Sequence, residues 1–173
     1  MDFMPSFKVN SVVSSKDFIR EFQCSNMGGM RRSKRSNTLV IISDETKGLY
    51  KDLWHGNILN YTGMGKVGDQ SINYRQNKVL ANSNINNVKL HLFEVKEPRK
   101  YIYRGPVILC QQPYIDHQLD ENGDSRRVWI FPLCLDCDAT SDMKLDYYSQ
   151  IIREEPEKKI LTKKKQKNTL KNQ

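Results

Sequence analysis

Two tyrosines and a carboxylate lie close together in the middle of the chain, where they could bind a flat heterocycle. Tyr50 and Asp52 precede a short apolar segment, and Tyr61 and Thr62 end it. Aromatic rings stack on the faces of an extruded base, and a carboxylate accepts a hydrogen bond from an exocyclic amino group. Two tyrosines that only pack in a core would have the same spacing.

A glycine turn followed by a basic run could bind phosphate. Met27, Gly28 and Gly29 form the turn. Glycine lets the backbone approach a phosphate closely, and arginine donates charge-assisted hydrogen bonds. A solvated loop is the alternative interpretation. The basic residues that follow the turn are Arg31, Arg32, Lys34 and Arg35.

Motifs for catalysis or metal binding are weak. Glu94 and Lys96 have the carboxylate-x-lysine spacing of metal-dependent nucleases, a pattern that recurs by chance. Cys134 and Cys137 are spaced like metal ligands, but the sequence has no second such pair to complete a tetrahedral site. It also has neither a phosphate-binding glycine loop nor a Gly-x-Ser-x-Gly motif. We therefore expect no metal, no cofactor and no catalytic site.

The charge is unevenly distributed along the 173 residues. The net charge is +8, and seven lysines against one glutamate after Pro156 account for most of it. The length fits one domain with an extension. We predict a domain over residues 1–139 and a C-terminal helix and basic tail or linker over 140–173. A lysine-rich tail either adds salt-dependent affinity for DNA or is a solvated linker.

The sequence indicates a protein without membrane partners. No stretch approaches the roughly 20 apolar residues that a membrane-spanning helix needs. The first residues, from Met1 to Pro5, have neither the basic region nor the apolar core of a secretory signal. We expect a cytoplasmic location and, in that compartment, no disulfide bonds.

Hydrophobic periodicity predicts an α+β chain. Ser14 or Ser15 is placed to cap a helix that ends at Phe22, and Asp69 is placed to cap a helix over 69–82. A third helix is predicted over 142–153. Short strands separated by polar turns favour a closed or nearly closed barrel over a parallel sheet. The predicted strands are 38–43, 58–62, 88–95, 101–109, with a bulge or edge at Gly105-Pro106, and 127–135.

Several short motifs follow one another in a characteristic order. They are Gly28-Gly29-Met30-Arg31-Arg32-Ser33, Tyr50-x-Asp52, His55-Gly56-Asn57, Tyr61-Thr62-Gly63-Met64-Gly65, Asp69-Gln70, Asn77-x-x-Leu80 and Tyr103-Arg104-Gly105. The series resembles the SET- and RING-associated (SRA, or YDG) domain, a family that recognises modified cytosine in DNA. It is also similar to the SRA-like part of bacterial HNH restriction endonucleases. The resemblance covers residues 24–110 clearly and extends more weakly to Leu135.

The resemblance implies a PUA-like, partly closed β-barrel with flanking helices that captures a flipped base. By position, Tyr61 would stack on one face of the base and Tyr50 on the other. Asp52 would accept a hydrogen bond from the cytosine N4 amino group, and the backbone at Thr62 would contact the Watson–Crick edge.

The resemblance also implies the DNA-contacting residues, with three departures, one of which is that Tyr103-Arg104-Gly105 has arginine where the family has aspartate. Only three residues separate Gly65 from Asp69, so the long finger of the family is missing, and the tyrosine position of the family falls nearer Leu49 than Tyr50. Met27, Gly28 and Gly29 match the loop that approaches the gap left by the base. The residues expected at the DNA backbone are Arg31, Arg32, Lys34, Arg35 and Lys66.

Together these features predict a DNA-binding module that recognises 5-methyl- or 5-hydroxymethylcytosine by base flipping. Its expected partners are double-stranded DNA with modified cytosine and a nuclease effector domain of a restriction system. The module itself would perform no chemistry. One alternative is a small metal-dependent nuclease that uses Glu94 and Lys96, and another is a PUA-like module for RNA or another modified nucleotide.

Overall fold

The computed structural model describes residues 2–136 of the chain. This region consists mainly of β-strands, with two short helices. The helix predicted over 142–153 and the basic tail lie outside the described residues.

Nine strands form one mixed sheet in the described region. Along the sheet the order is β2-β3-β6-β7-β9-β5-β4, with β1 on β7 and β8 on β9. Only the β3–β6 pair is parallel among the pairs that the structure describes. The strands are β1 (Val12–Val13), β2 (Met30–Ser33), β3 (Thr38–Asp44), β4 (Leu53–His55), β5 (Ile58–Thr62), β6 (Lys89–Glu97), β7 (Lys100–Leu109), β8 (Tyr114–Leu119) and β9 (Ser125–Leu135).

The α+β class and the SRA-like architecture are confirmed, with a sheet path that stays open between its end strands β2 and β4. The five predicted strands correspond to β3, β5, β6, β7 and β9. The bulge is confirmed as well, because the register shifts between the pairs Leu92–Gly105 and Phe93–Tyr103. At this point Gly105 has φ +99°, a backbone conformation that favours glycine.

The prediction of only five strands is wrong, because β1, β2, β4 and β8 were missed. β1 and β4 are too short for a periodic signal. β2 consists of the basic run that starts at Met30, and every residue of β8 except Gln118 is exposed. These strands form through backbone pairing with a neighbour, which a single-strand hydrophobic pattern does not report.

The first helix is confirmed and the second is shorter than predicted. α1 (Ser15–Phe22) begins after Ser14, whose Oγ accepts a hydrogen bond from the Asp17 amide at 3.2 Å. α2 (Gln76–Ala81) occupies only the end of the predicted range. Asp69 is not its cap: the carboxylate accepts hydrogen bonds from the backbone amide and guanidinium of Arg127, at 2.8 and 3.0 Å.

Aromatic rings fill the space between α1 and the sheet. Phe18 and Phe22 are fully buried on the inner face of α1. The Phe18 ring centroid lies 4.6 Å from that of Phe93, which lies 5.1 Å from that of Tyr103. His91 Nδ1 hydrogen-bonds the Tyr103 hydroxyl at 2.7 Å, and burial lowers the pKa of His91 to about 4. This part of the molecule is a packed core.

Candidate nucleic-acid interface

Asp52 lies between the end of β3 and the end of β5. Its Oδ2 accepts a hydrogen bond from Ser43 Oγ, and its Oδ1 accepts one from the Thr62 amide, both at 2.8 Å. Burial raises the pKa of Asp52, the two hydrogen bonds oppose that rise, and the nearby Glu94 carboxylate adds to it. The carboxylate is therefore held in a fixed orientation, and further lone pairs remain available to a ligand.

Tyr61 lies next to Asp52 and is only 4% exposed. Its hydroxyl donates to the carbonyl oxygens of Gly29 and Ile42, at 3.1 and 3.2 Å. Burial raises the pKa of Tyr61 far above its ordinary value, and the charge of Asp52 raises it further. The phenol is thus neutral and anchored, and the glycine turn lies against its hydroxyl end.

Thr62 connects three segments around Asp52. Its Oγ1 donates to the Lys51 carbonyl at 3.3 Å and accepts from Gln118 Nε2 at 2.9 Å. Gln118 Oε1 in turn accepts a hydrogen bond from the Lys51 amide at 3.3 Å. The loop before β4, the end of β5 and strand β8 are therefore tied together beside the carboxylate.

The loop that follows Thr62 is held by two buried amides. Gln70 Nε2 donates to the carbonyls of Gly63 and Gly65, at 2.6 and 3.2 Å. Asn77 accepts from the Met64 amide at 2.7 Å and donates to the Met64 carbonyl at 3.0 Å. The Asp-Gln and Asn-x-x-Leu motifs thus act inside the domain, because they fix the backbone that borders the site.

Tyr50 is half-buried on the loop between β3 and β4, near Tyr61. Burial raises the pKa of Tyr50, while the Arg126 guanidinium and the Gly65 amide next to its hydroxyl lower it. Arg126 is 2% exposed and donates to the carbonyls of Gly65 and Gly68. The structure therefore brings together all four predicted pocket residues, Tyr50, Asp52, Tyr61 and Thr62.

The basic run after the glycine turn is largely engaged within the protein. Arg31 is 7% exposed, and its guanidinium donates to the carbonyls of Gly28 and Ser25 at 2.8 and 3.3 Å. Arg32 donates to the Thr38 carbonyl at 3.2 Å and to Asn37 Oδ1 at 3.0 Å. The guanidinium groups of Arg31 and Arg32 thus stabilise the glycine turn and the β2–β3 hairpin. Met27, in the same turn, is 76% exposed.

The remaining predicted DNA contacts lie at two different ends of the sheet. Lys34 and Arg35 are exposed in the β2–β3 turn, at the opposite end of the hairpin from Gly29. Four strand residues separate them from that glycine, roughly 13 Å along the strand. Lys66 is exposed on the loop that follows Gly65. Of these three residues, only Lys66 lies at the end where Asp52 and Tyr61 meet.

Glu94 is engaged in a polar cluster behind Asp52. Its Oε2 accepts from the Trp54 indole at 3.1 Å, and its Oε1 lies 3.2 Å from Arg104 Nε. Glu94 is 9% exposed, whereas Lys96 is exposed to solvent. Within residues 2–136, no group of three His, Cys, Asp or Glu side chains is arranged to hold a metal ion.

A cavity of about 500 Å³ lies elsewhere, between the N-terminal segment and α1. Its wall includes Phe7, Lys8, Arg20 and Glu21, and no residue of the Asp52 cluster lines it. Ser6 closes one side by donating from its amide and hydroxyl to the Glu21 carboxylate, at 2.7 and 2.9 Å. This cavity is separate from the candidate site.

Several residues of the site escaped the sequence analysis. Ser43 ends an apolar strand, and Gln118 and Arg126 belong to a hairpin of which only β9 was predicted. A polar residue at the end of a buried strand was the available signal for Ser43; none existed for the other two. Exposed Lys47 and Lys51, on the loop that carries Tyr50, were also missed as cations near the site.

Among the described residues, no helix is long and apolar enough to span a membrane. No curated protein matches the chain.

Solved structures share this architecture at low sequence identity. The sulfur binding domain and SRA domain of ScoMcrA, complexed with phosphorothioated DNA, has a TM-score of 0.61 and 19% identity over 75% of this chain and 40% of that one. The SUVH5 SRA domain in a methylated CHH DNA complex has a TM-score of 0.58 and 19% identity, over 78% of this chain and 92% of that one. The modification-dependent restriction endonuclease TagI has a TM-score of 0.54 and 18% identity, over 77% and 51%.

The chain thus spans less than half of the ScoMcrA structure and nearly all of the SUVH5 SRA domain. At these identities, the likenesses establish the fold. A family model described as the SRA domain of ScoMcrA-like proteins matches residues 10–151, most of the sequence. The chain therefore belongs to the family of ScoMcrA-like SRA domains.

Proposed function

We propose that this domain captures a modified cytosine from double-stranded DNA and serves as the specificity part of a modification-dependent restriction system. The observation that carries the proposal is the Asp52 carboxylate, fixed by Ser43 and the Thr62 amide next to Tyr61, which also lies near Tyr50. Cytosine presents an N4 amino donor where thymine presents an O4 acceptor. A fixed carboxylate therefore favours cytosine over thymine.

Base capture requires a movement near Tyr61, since its ring is almost completely covered. Tyr50 is the neighbour suited to that movement, because it is half-buried and lies on a loop. In the proposed complex, Tyr61 stays anchored through its hydroxyl while Tyr50 swings aside and closes on the other face of the base. Stacking between two rings contributes about 1–3 kcal/mol per ring.

The DNA backbone approaches the end of the sheet where Asp52 lies. Lys47, Lys51 and Lys66 are exposed around this end and supply sequence-independent attraction to phosphate. Arg31 supports the glycine turn from inside, so that Met27 projects toward the duplex. The turn at Lys34 and Arg35 would meet only flanking DNA.

In this proposal the domain performs no chemistry itself, and cleavage belongs to an effector nuclease. Two observations support this division. The Glu94 carboxylate, which lies near Asp52, has both oxygens engaged, one by the Trp54 indole and the other by Arg104. Structures of related restriction enzymes contain considerably more chain than the part that this domain matches.

The test compares binding to one short duplex that carries cytosine, 5-methylcytosine or 5-hydroxymethylcytosine at a single position. We expect tighter binding to at least one modified duplex, and Asp52→Asn should reduce that preference about ten-fold. Asp116→Asn is the matched control, since Asp116 is exposed on β8. Equal affinity of the unaltered protein for all three duplexes at every salt concentration would refute the proposal, and tighter binding to single-stranded RNA would favour an RNA-binding module.

A further inference from the structure

Arg126 is the least satisfied charged group in the described part of the chain. It is 2% exposed, and its Nε and Nη2 are buried without a hydrogen-bond partner. Its Nη1 donates to the carbonyls of Gly65 and Gly68. None of the ion pairs within residues 2–136 includes Arg126, although its charge acts on the nearby Asp120 carboxylate and lowers the pKa of that group.

Arg126 borders the candidate pocket. It pairs across the β8–β9 ladder with Gln118, so the two side chains lie on the same face about 5 Å apart at their Cβ atoms. Gln118 hydrogen-bonds the Thr62 hydroxyl and the Lys51 amide, on either side of Asp52. The Tyr50 hydroxyl also interacts with the guanidinium, both through its charge and as a side-chain hydrogen-bond partner. Arg126 thus lies behind Tyr50, at the side of the pocket away from the glycine turn.

A buried guanidinium with unused donors is costly unless an acceptor is bound there. Leaving a buried donor unpaired forfeits hydrogen-bond energy, and an unpaired buried charge adds a desolvation cost. Arginine presents its donors as a rigid fork that matches oxygen acceptors. When Tyr50 moves aside to admit a base, this fork becomes the next polar surface that the nucleotide meets.

We propose that Arg126 is a second recognition residue of the base pocket, whose unused N–H groups bind acceptor oxygens of the captured nucleotide. The inference rests on the proposed function and adds a donor to the acceptor that Asp52 supplies. One source of the oxygen is a substituent on C5 of the cytosine, which is adjacent to the carbon that carries the N4 amino group. The other source is the remainder of the nucleotide, through its O2 or its phosphate.

The experiment measures the affinity of the domain for one duplex that carries cytosine, 5-methyl-, 5-hydroxymethyl- or 5-carboxylcytosine at a single position. Arg126→Met keeps the length of the side chain and removes the charge and donors, and Arg126→Lys keeps the charge but removes the fork. Arg127→Met is the matched control, because Arg127 is the adjacent arginine, is exposed and pairs with Asp69. Thermal unfolding shows whether each variant is folded.

Arg126→Met should lower the ratio of modified to unmodified affinity about ten-fold, the loss expected for a hydrogen bond to a charged group. Arg127→Met should change that ratio less than about three-fold. A loss confined to hydroxymethyl- and carboxylcytosine assigns the oxygen to the C5 substituent. A loss shared by all three modified duplexes assigns it to O2, or to a phosphate if the slope of log affinity against log salt also falls by about 1.

An unchanged ratio in a folded Arg126→Met protein overturns the inference and leaves the guanidinium as a support for the loop after Gly65. If the methionine variant does not fold, an unchanged ratio in Arg126→Lys overturns it. These results differ from failure of the proposed function, in which the unaltered protein itself binds modified and unmodified duplexes equally.

Discussion

Strands β3 and β6 have two opposite faces, one that packs against α1 and one that carries the candidate site. Ile42 and Phe93 point to the face that α1 covers, where aromatic rings fill the space. The next residues in sequence, Ser43 and Glu94, pair with each other across the ladder and point to the other face. There Ser43 binds Asp52, and Glu94 binds Trp54.

Stability and the proposed recognition are therefore divided between the two faces of the same strands. The α1 face is mainly aromatic and aliphatic, apart from the hydrogen-bonded pair His91 and Tyr103, and it is closely packed as a core requires. The opposite face accumulates buried polar groups that hold loops, orient a carboxylate and leave donors unused. Buried polar groups are costly unless they are paired, so their concentration on one face indicates a site.

The largest expected effect is a loss of stability when a ring is removed from the face that packs against α1. Phe93→Ala removes a fully buried ring that contacts Phe18 and Tyr103 and should cost about 4 kcal/mol in the free energy of unfolding. Urea unfolding measures this loss. In the folded fraction, the ratio of modified to unmodified affinity should stay within about two-fold, because separate sites act independently. A ratio that collapses while the protein remains folded would contradict the division between the faces.

The next effect comes from the loop on the polar face. A Cβ at Gly63 would lie 2.9 Å from Asn77 Oδ1 and 3.0 Å from Phe131 Cε2, so Gly63→Ala should cost about 2–3 kcal/mol and also abolish discrimination. Thermal unfolding and duplex binding measure the two losses. Gly56→Ala is the control. A Cβ at Gly56 would have no atom within 4 Å, so the only expected cost is the backbone strain of alanine at a φ of +60°, about 1 kcal/mol. Equal losses in both variants would argue against the packed loop.

An intermediate effect is the response to pH. Protonated Asp52 is a poor acceptor, so discrimination should fall as the pH drops through its raised pKa, at a higher pH than for an ordinary aspartate. The effect of this group on stability has the opposite sign. Its contribution to folding is fully present below the ordinary pKa of aspartate and is lost as the pH rises through the raised pKa.

Binding measured between about pH 7 and pH 4, with circular dichroism at each pH, separates the two effects. Asp52→Asn should show little pH dependence of discrimination over the same range. Asp69 has a pKa lowered by its hydrogen bonds to Arg127, so its contribution to stability is lost in acid. A loss of discrimination that only follows unfolding would assign the pH response to such surface groups.

The smallest effect tests which end of the sheet meets the DNA. Lys66→Ala should reduce the slope of log affinity against log salt by about 1 and leave discrimination unchanged. Lys34→Ala, at the far end of the β2–β3 hairpin, should change the slope less. Fluorescence anisotropy at several salt concentrations measures both. A larger change in Lys34→Ala would place the duplex along the hairpin rather than over Asp52.

Parts of this site could be predicted from sequence because they depend on local order. β5 has the predicted bounds, Ile58–Thr62, and eight residues separate Asp52 from Tyr61 in a motif series that the resemblance identified. The helix over 69–82 was overestimated because Asp69 and Gln70 hydrogen-bond β9 instead of continuing a helical turn. Helical periodicity cannot reveal that competition, since the partners lie more than fifty residues away.

Because apolar periodicity and motif order are local properties of the chain, the fold class, the family and the grouping of Tyr50, Tyr61 and Thr62 with Asp52 could be predicted from the sequence. Which charged residues have hydrogen-bond donors available to a ligand depends on the fold, and no sequence pattern reports it. Arg31 and Arg32 donate hydrogen bonds to nearby backbone carbonyls, whereas Arg126 is buried with its Nε and Nη2 groups without a hydrogen-bond partner. Charge is a property of a residue type, but hydrogen-bond satisfaction depends on the neighbours that distant strand pairing supplies.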